Sequence, residues 1–290
     1  MRDNIYKIEF DDFPPLLKEI NDPPGELYLK GDLPDPTSHI YLAVVGSRHH
    51  SSYGKEACEY LIDSLRGLPV VIVSGLALGI DSIAHATALK SGLKTVAIPG
   101  SGLNPDSIYP RMHQRLAQNI VESGGTLVSE LTPDTKAAPW TFPRRNRIMA
   151  GLSNATLVIE AREKSGTLIT ARLAMEYNRD VLVLPGSIFN PGSIGPLKLL
   201  KDGATPILNG PDLKDALGFK TDEKDFREPV DMPNLSLPEQ EIYKLLSKTN
   251  LPRTEIFIHL KLPTEDINTA LTMLELRGVI TETAGEMRLI

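Results

Sequence analysis

Three arginines fall within four residues at Arg144-Arg145-Asn146-Arg147, between Phe142-Pro143 and the apolar run 148–152. Guanidiniums packed that closely repel one another, so the run suits a polyanion, and the aromatic just before it suits a ligand with flat faces. Phosphates together with bases mean nucleic acid, and single strands leave base faces free to stack. A solvated basic turn is the plain alternative, and for an isolated R-R-x-R it is the commoner one.

The distribution of charge favours the nucleic-acid reading. The 290-residue chain is acidic, with net charge -6. Residues 40–210 nevertheless hold 17 Lys/Arg against 13 Asp/Glu, whereas 1–39 hold 4 against 9, 211–235 hold 4 against 7 and 236–290 hold 6 against 8. The middle segment alone is positive and contains the arginine run, so a polyanion site belongs there.

Glycine and serine gather at one kind of place in that segment. Gly46-Ser47-Arg48, Ser74-Gly75, Gly100-Ser101-Gly102, Lys164-Ser165-Gly166-Thr167 and Pro185-Gly186-Ser187 each follow a predicted strand. Such turns let backbone N–H groups approach an anion, and each following helix aims its positive end at the same side. Arg48 adds a bidentate phosphate ligand. The rim is expected to take phosphates, with Arg144, Arg145 and Arg147 continuing the track and Phe142 or Trp140 stacking on a base. Arg147, nearest the apolar run, is the arginine best placed to be a buried ion-pair partner instead.

The elements that must position these residues are predicted from periodicity. Short apolar runs at 40–45, 70–73, 93–98, 125–129, 155–160, 180–184 and 205–208 read as strands. Amphipathic stretches at 53–66, 82–91, 111–122, 144–152, 167–178 and 197–201 read as helices. This alternation predicts an α/β fold, an extended Rossmann-like, doubly wound sheet over 40–217. Residues 1–39 read as a short N-terminal extension and 218–235 as an acidic, proline-containing linker. Residues 236–290, with three helices and a hairpin turning at Ala284-Gly285, read as a small C-terminal winged-helix domain. Its candidate recognition helix carries Glu265, Asp266 and Glu275 beside only Lys261 and Arg277, the wrong sign for a phosphate wall, so a protein-contact role is expected.

Several classes are disfavoured. The single cysteine, Cys58, excludes a disulfide framework and a Cys-based zinc site and fits a reducing compartment. No histidine has metal-ligand spacing, and no metal or other cofactor is expected. The N-terminus lacks a signal-peptide pattern and no apolar run is long enough to span a bilayer, so a cytoplasmic location without membrane contact is expected. There is no G-x-x-x-x-G-K-[ST], and Gly100-Ser101-Gly102 lacks the third glycine of the dinucleotide fingerprint. Asp81 and His85 stand four apart and could pair as acid and base, but such a pair is more often a helix N-terminal acid beside a polar neighbour.

At these residues the chain resembles a known family. Val44-Val45-Gly46-Ser47-Arg48, Ser74-Gly75-Leu76-Ala77-Leu78-Gly79-Ile80-Asp81, the stretch from Phe142-Pro143-Arg144-Arg145-Asn146-Arg147 to Ser153, Ser165-Gly166-Thr167-Leu168-Ile169-Thr170-Ala171 and Pro185-Gly186-Ser187 occur in that order. Together with Asp22-Pro23-Pro24-Gly25-Glu26-Leu27-Tyr28 and Tyr109-Pro110, they resemble the DNA-processing protein A (DprA/Smf) family over about residues 20–217. The resemblance implies a single-stranded-DNA-binding recombination mediator without catalytic turnover. It implies protection of incoming strands, loading of a RecA-type recombinase onto them in natural transformation, and a homodimer formed through the Rossmann domain. It carries the DNA-binding role to Arg48 and to 142–147. Two departures stand out. Residues 1–39 are too few for the helical N-terminal domain of many members. Where the family reads G-x-N-x-L-I, this chain has Gly195-Pro196-Leu197-Lys198-Leu199-Leu200, so Lys198 is expected to replace an Asn contact electrostatically. The alternative is a nucleotide-binding or phosphoribohydrolase-like Rossmann protein, whose signature places a glutamate where this chain has Thr170.

Overall fold

The computed structural model describes residues 4–220, 235–247, 249–283 and 285–289. It opens with the antiparallel strands β1 (Tyr6–Glu9) and β2 (Glu26–Lys30), separated by the short helix α1 (Pro15–Lys18). There follow β3 (Ile40–Val45), α2 (Ser52–Asp63), β4 (Val70–Ser74), α3 (Ile80–Lys90), β5 (Lys94–Ala97), α4 (Gln114–Glu122) and β6 (Thr126–Ser129). Then come α5 (Thr141–Leu152), β7 (Ala155–Val158), α6 (Thr167–Glu176), β8 (Asp180–Val183), α7 (Ile194–Lys201), β9 (Thr205–Pro206) and α8 (Gly210–Ala216). All nine strands form one sheet in the order β1-β2-β6-β5-β4-β3-β7-β8-β9, parallel from β6 to β9. The fold is an α/β, doubly wound Rossmann-like sheet, and the order reverses between β3 and β7.

The strands are buried on both faces, which is why they read as near-continuous apolar runs. In β3, Tyr41, Ala43 and Val45 join a core with α1, α5 and α6, while Leu42 and Val44 join a core with α2 and α3 on the opposite face. The strand pleat sends alternate side chains to opposite layers. Each fully buried Leu, Ile or Val contributes roughly 1.5–3 kcal/mol relative to exposure.

Two boundaries differ from the sequence expectation. The extension expected over 1–39 is, from residue 4 onward, part of the sheet domain: β2 pairs with β6 and β1 with β2, and Leu27 and Leu29 enter the main core. The alternating pattern of β2 is short and follows a proline-rich stretch, so it escapes a periodicity reading. The far boundary also shifts, because Leu217 and Phe219 pack onto the core beside α8. Most of the predicted acidic linker, 221–234, lies outside the described residues.

Residues 222–290 form a second unit. It contains α9 (Leu237–Leu246), β10 (Leu251–Pro252), α10 (Arg253–His259), α11 (Thr264–Leu276), β11 (Ile280–Thr283) and β12 (Glu286–Leu289). The strands form a three-stranded sheet, β10-β12-β11, the wing of a winged-helix domain. Ile242, Ile256, Leu271, Leu274 and Met287 make its own core. Of the predicted turn, Ala284 lies outside the described residues. No described helix is long and apolar enough to cross a membrane.

Candidate functional site

The reversal between β3 and β7 leaves a crevice at the carboxyl ends of the strands, the usual ligand position in an open α/β sheet. A cleft of about 310 Å3 lies there, within the size range of small-ligand sites. The turn after β3 supplies Gly46, Ser47 and Arg48; the loop between β7 and α6 supplies Arg162, Lys164, Ser165, Gly166 and Thr167; α5 supplies Phe142, Arg145 and Asn146.

Arg48, Arg162 and Lys164 are exposed, and none of the described residues forms an ion pair with them. Arg48 rests on the Phe142 ring, 5.3 Å from its centroid. That ring is half-buried against Gly100 and is tilted on Tyr109 at 5.9 Å. Phe142 is thus the seat of Arg48 as well as an aromatic wall. Gly166 stands at the start of α6 with nothing near the position of a Cβ, and the Ser165 hydroxyl accepts from Thr167 N at 3.2 Å. The Thr167 hydroxyl donates to Gly46 O at 3.0 Å, pinning the two turns together.

The arginine run does not form a continuous track. On a helix consecutive residues are about 100° apart, and residues three apart share a side. Arg144 and Arg147 therefore meet the same carboxylate: Arg144 donates to Glu130 at 2.8 and 3.0 Å, and Arg147 donates to Glu130 and to Asp22 O. The Arg147 and Glu130 side chains are only 9% and 8% exposed, so Arg147 is a structural ion-pair partner, and it is not among the cleft-lining residues. Arg144 stays half-exposed but is held by the same carboxylate.

Arg145 points the other way, into the cleft floor. It donates to Ile98 O at 2.5 Å and to Asn146 Oδ1 at 3.1 Å. A Cβ on Gly75 would lie 1.8 Å from its Nη1, so any side chain there would displace the guanidinium. Burial pushes the Arg145 guanidinium below its ordinary value, opposed by Asp81. Burial raises Asp81, opposed first by Arg145 and then by the N–H groups of Ala77 and Gly75.

Four other rim residues are packing residues, correcting the expectation that they line an anion site. Ser74 is buried and donates to Val44 O at 2.6 Å, and Gly75 lies under Arg145. Gly100 lies under Phe142, and the Gly102 N–H is consumed by Thr135 O at 2.8 Å. Lys198 is exposed and paired with Glu163 at 2.5 Å, and it is not among the cleft-lining residues. Sequence reasoning missed Arg162, whose signal was two cations, Arg162 and Lys164, in the loop after the switch-point strand. Asp81 and His85 do not act on one another. Asp81 borders the cleft, while His85 is buried with Nδ1 2.7 Å from Thr95 Oγ1. Burial lowers the His85 pKa to about 3. Among the described residues no cluster suits a metal ion.

Comparison with known proteins gives the family and the fold. The family model for DNA recombination-mediator protein A matches residues 4–218, and that for the DprA winged helix domain matches 227–286. Protein Smf of Escherichia coli is 40% identical over 279 residues, 94% of this chain and 74% of the relative. The DNA processing protein DprA of Bacillus subtilis is 39% identical over 214 residues, 74% of this chain and 71% of the relative. Among solved structures, DprA of Streptococcus pneumoniae superposes with a TM-score of 0.68 at 39% identity, covering 75% of each chain. DprA of Helicobacter pylori, described for its single-stranded DNA binding mode, superposes at 0.65 with 31% identity, covering 75% of this chain and 97% of the other. With a family model spanning nearly the whole sheet domain and another on the winged helix, the chain belongs to the DNA-processing protein A (DprA/Smf) family of DNA recombination mediators.

Proposed function

We propose that this protein binds single-stranded DNA across the cleft at the β3–β7 switch point and loads a RecA-type recombinase onto the bound strand. The observation that carries the reading is the set of three cations, Arg48, Arg162 and Lys164, that have no ion-pair partner among the described residues and stand around a glycine-open helix start. Phosphates sit on Arg48, on the turns at Gly46-Ser47 and Ser165-Gly166-Thr167, and on the two loop cations. Phe142 holds Arg48 in place and offers its remaining surface to a base, with exposed Trp140 near the same helix start. The single-stranded DNA binding described for the H. pylori relative supports the same class of ligand. Protection of incoming strands in natural transformation, a homodimer and a cytoplasmic location complete the reading and rest on the family.

The protein acts in this reading as a binding scaffold without turnover. Asp81 is the one carboxylate among the described cleft-lining residues, and it is engaged by Arg145 and backbone N–H groups. Thr170 lines the cleft where the phosphoribohydrolase signature has glutamate. The winged helix is a protein-contact module: Glu265 and Asp266 are exposed on α11, and Arg277 is paired with Glu239 at 3.4 Å.

Fluorescence anisotropy of a labelled oligonucleotide, single-stranded and then duplexed, at two salt concentrations tests the reading. Tight, salt-sensitive preference for the single strand is expected. Arg48→Ala should flatten the salt slope by about one unit, whereas Phe142→Ala should cost roughly 1–3 kcal/mol with the slope little changed. Recombinase filament nucleation on the bound strand should accelerate in a strand-exchange assay. Equal binding to duplex, or release of base from a nucleoside monophosphate, would overturn the reading.

A further inference from the structure

Among the buried charges outside the cleft, Glu160 stands apart. It follows β7 and is 3% exposed, yet among the described residues no Lys, Arg or His pairs with it. A buried carboxylate without a cation must be held by donors or by a positive helix end. Glu160 has both. Ser51 N donates to its Oε2 at 2.8 Å, the Ser51 hydroxyl donates to Oε1, and Asn190 Nδ2 reaches Oε1 at 3.5 Å. Ser51 is the N-cap of α2, its hydroxyl also accepting from Gly54 N at 3.0 Å.

The first turn of α2 is shaped around this carboxylate. A Cβ on Gly54 would lie 2.5 Å from Glu160 Cδ, and one on Gly192 would lie 3.4 Å from the same atom. Glu160 thus ties together three loops at the carboxyl edge: the β3–α2 turn, the end of β7 and the β8–α7 loop. The place matters because β3 is the strand at which the sheet order reverses. In dinucleotide-binding Rossmann domains the helix after that strand receives the pyrophosphate at its N-terminus.

We propose that Glu160 is the resident anion of the α2 N-terminus: it closes that terminus to dinucleotide phosphates and positions the turn carrying Arg48 at the cleft. The domain keeps the topology of a dinucleotide binder but supplies the anion from its own chain. Ligand phosphates are thereby moved to Gly46-Ser47-Arg48 and to the start of α6.

Isothermal titration of the full chain with pyrophosphate tests the closure. The titration compares wild type, Arg48→Ala and the double variant Arg48→Ala/Glu160→Ala. The Arg48 change removes one of the cleft's phosphate contacts and is common to both variants, so the difference in uptake between them reports the helix terminus whether or not the cleft binds DNA. At least about tenfold tighter pyrophosphate binding is expected in the double variant than in Arg48→Ala. A folded double variant, by far-ultraviolet dichroism, with no gain overturns the closure.

Glu160→Gln keeps the side-chain volume and tests positioning even where the alanine variant does not fold. It should weaken single-stranded DNA binding about fivefold in the wild-type background and hardly at all in Arg48→Ala, because the two changes act through one contact. Equal losses in both backgrounds overturn the positioning role.

Discussion

In α5 three arginines adjacent in the chain point into different surroundings, whereas at the cleft Arg48, Arg162 and Lys164, distant in the chain, border one void. The α5 arginines are consumed: Arg144 and Arg147 by Glu130, Arg145 by Ile98 O, Asn146 and the charge of Asp81. The cleft cations stand in solvent with no carboxylate partner among the described residues. Clustered charge along a helix is dispersed by the 100° step between residues, while charge carried on loops at a sheet edge is gathered by topology. A dense basic run is therefore weaker evidence for an anion site than cations at converging strand ends.

The comparison breaks most visibly at Arg147. Arg147→Ala leaves the Glu130 carboxylate with Arg144 alone and Asp22 O without its donor, and should destabilise the fold by roughly 2–3 kcal/mol, read from urea unfolding. Retention of full stability would mean the α5 arginines are not structural. Arg48→Ala should do the reverse, lowering single-stranded DNA affinity by roughly 1.5–3 kcal/mol while unfolding shifts by no more than about 0.5 kcal/mol. Comparable unfolding losses for the two variants would erase the division between them.

The sheet's own interior gives a pH-dependent version. His85 is held neutral by burial, with its folded pKa near 3 against an ordinary 6.5. Between those values the unfolded chain binds the extra proton. Stability therefore falls as pH drops below about 6.5, by at most about 1.4 kcal/mol per pH unit. Unfolding midpoints at pH 7 and pH 5 should separate in wild type and separate less in His85→Gln. Lys198→Ala marks the small end: its exposed pair with Glu163 is screened, and DNA affinity should change less than twofold. A larger loss would move Lys198 into the track.

Much of the fold was legible because a parallel sheet buried on both sides writes itself as short apolar runs. The seven strands from Ile40–Val45 to Thr205–Pro206 were all predicted, with ends differing by a few residues. Strand β2 was not, because its signal is a brief alternation and its partner β6 lies far along the chain. Pro143 hid the first turn of α5. The helix begins at Thr141, where a missing N–H breaks no intrahelical bond. Of the expected site, Gly46, Ser47, Arg48, Phe142, Arg145, Asn146, Ser165, Gly166 and Thr167 lie together at the cleft. Gly75, Gly100 and Gly102 share their composition but serve the close approach of Arg145, Phe142 and the 132–135 loop, and the Ser74 hydroxyl donates to Val44 O.

Sequence alone determined the alternation of strands and helices, the winged-helix ending, the positive middle segment and the motifs that place the chain in its family. Those are local or compositional properties, set by side-chain polarity and spacing along the chain. Tertiary structure decided which cations remain available, because pairing depends on carboxylates such as Glu130 and Asp81 that arrive from other strands and helices. It likewise decided that the α2 terminus is filled from within, since Ser51 and Glu160 meet only when β3 and β7 lie side by side.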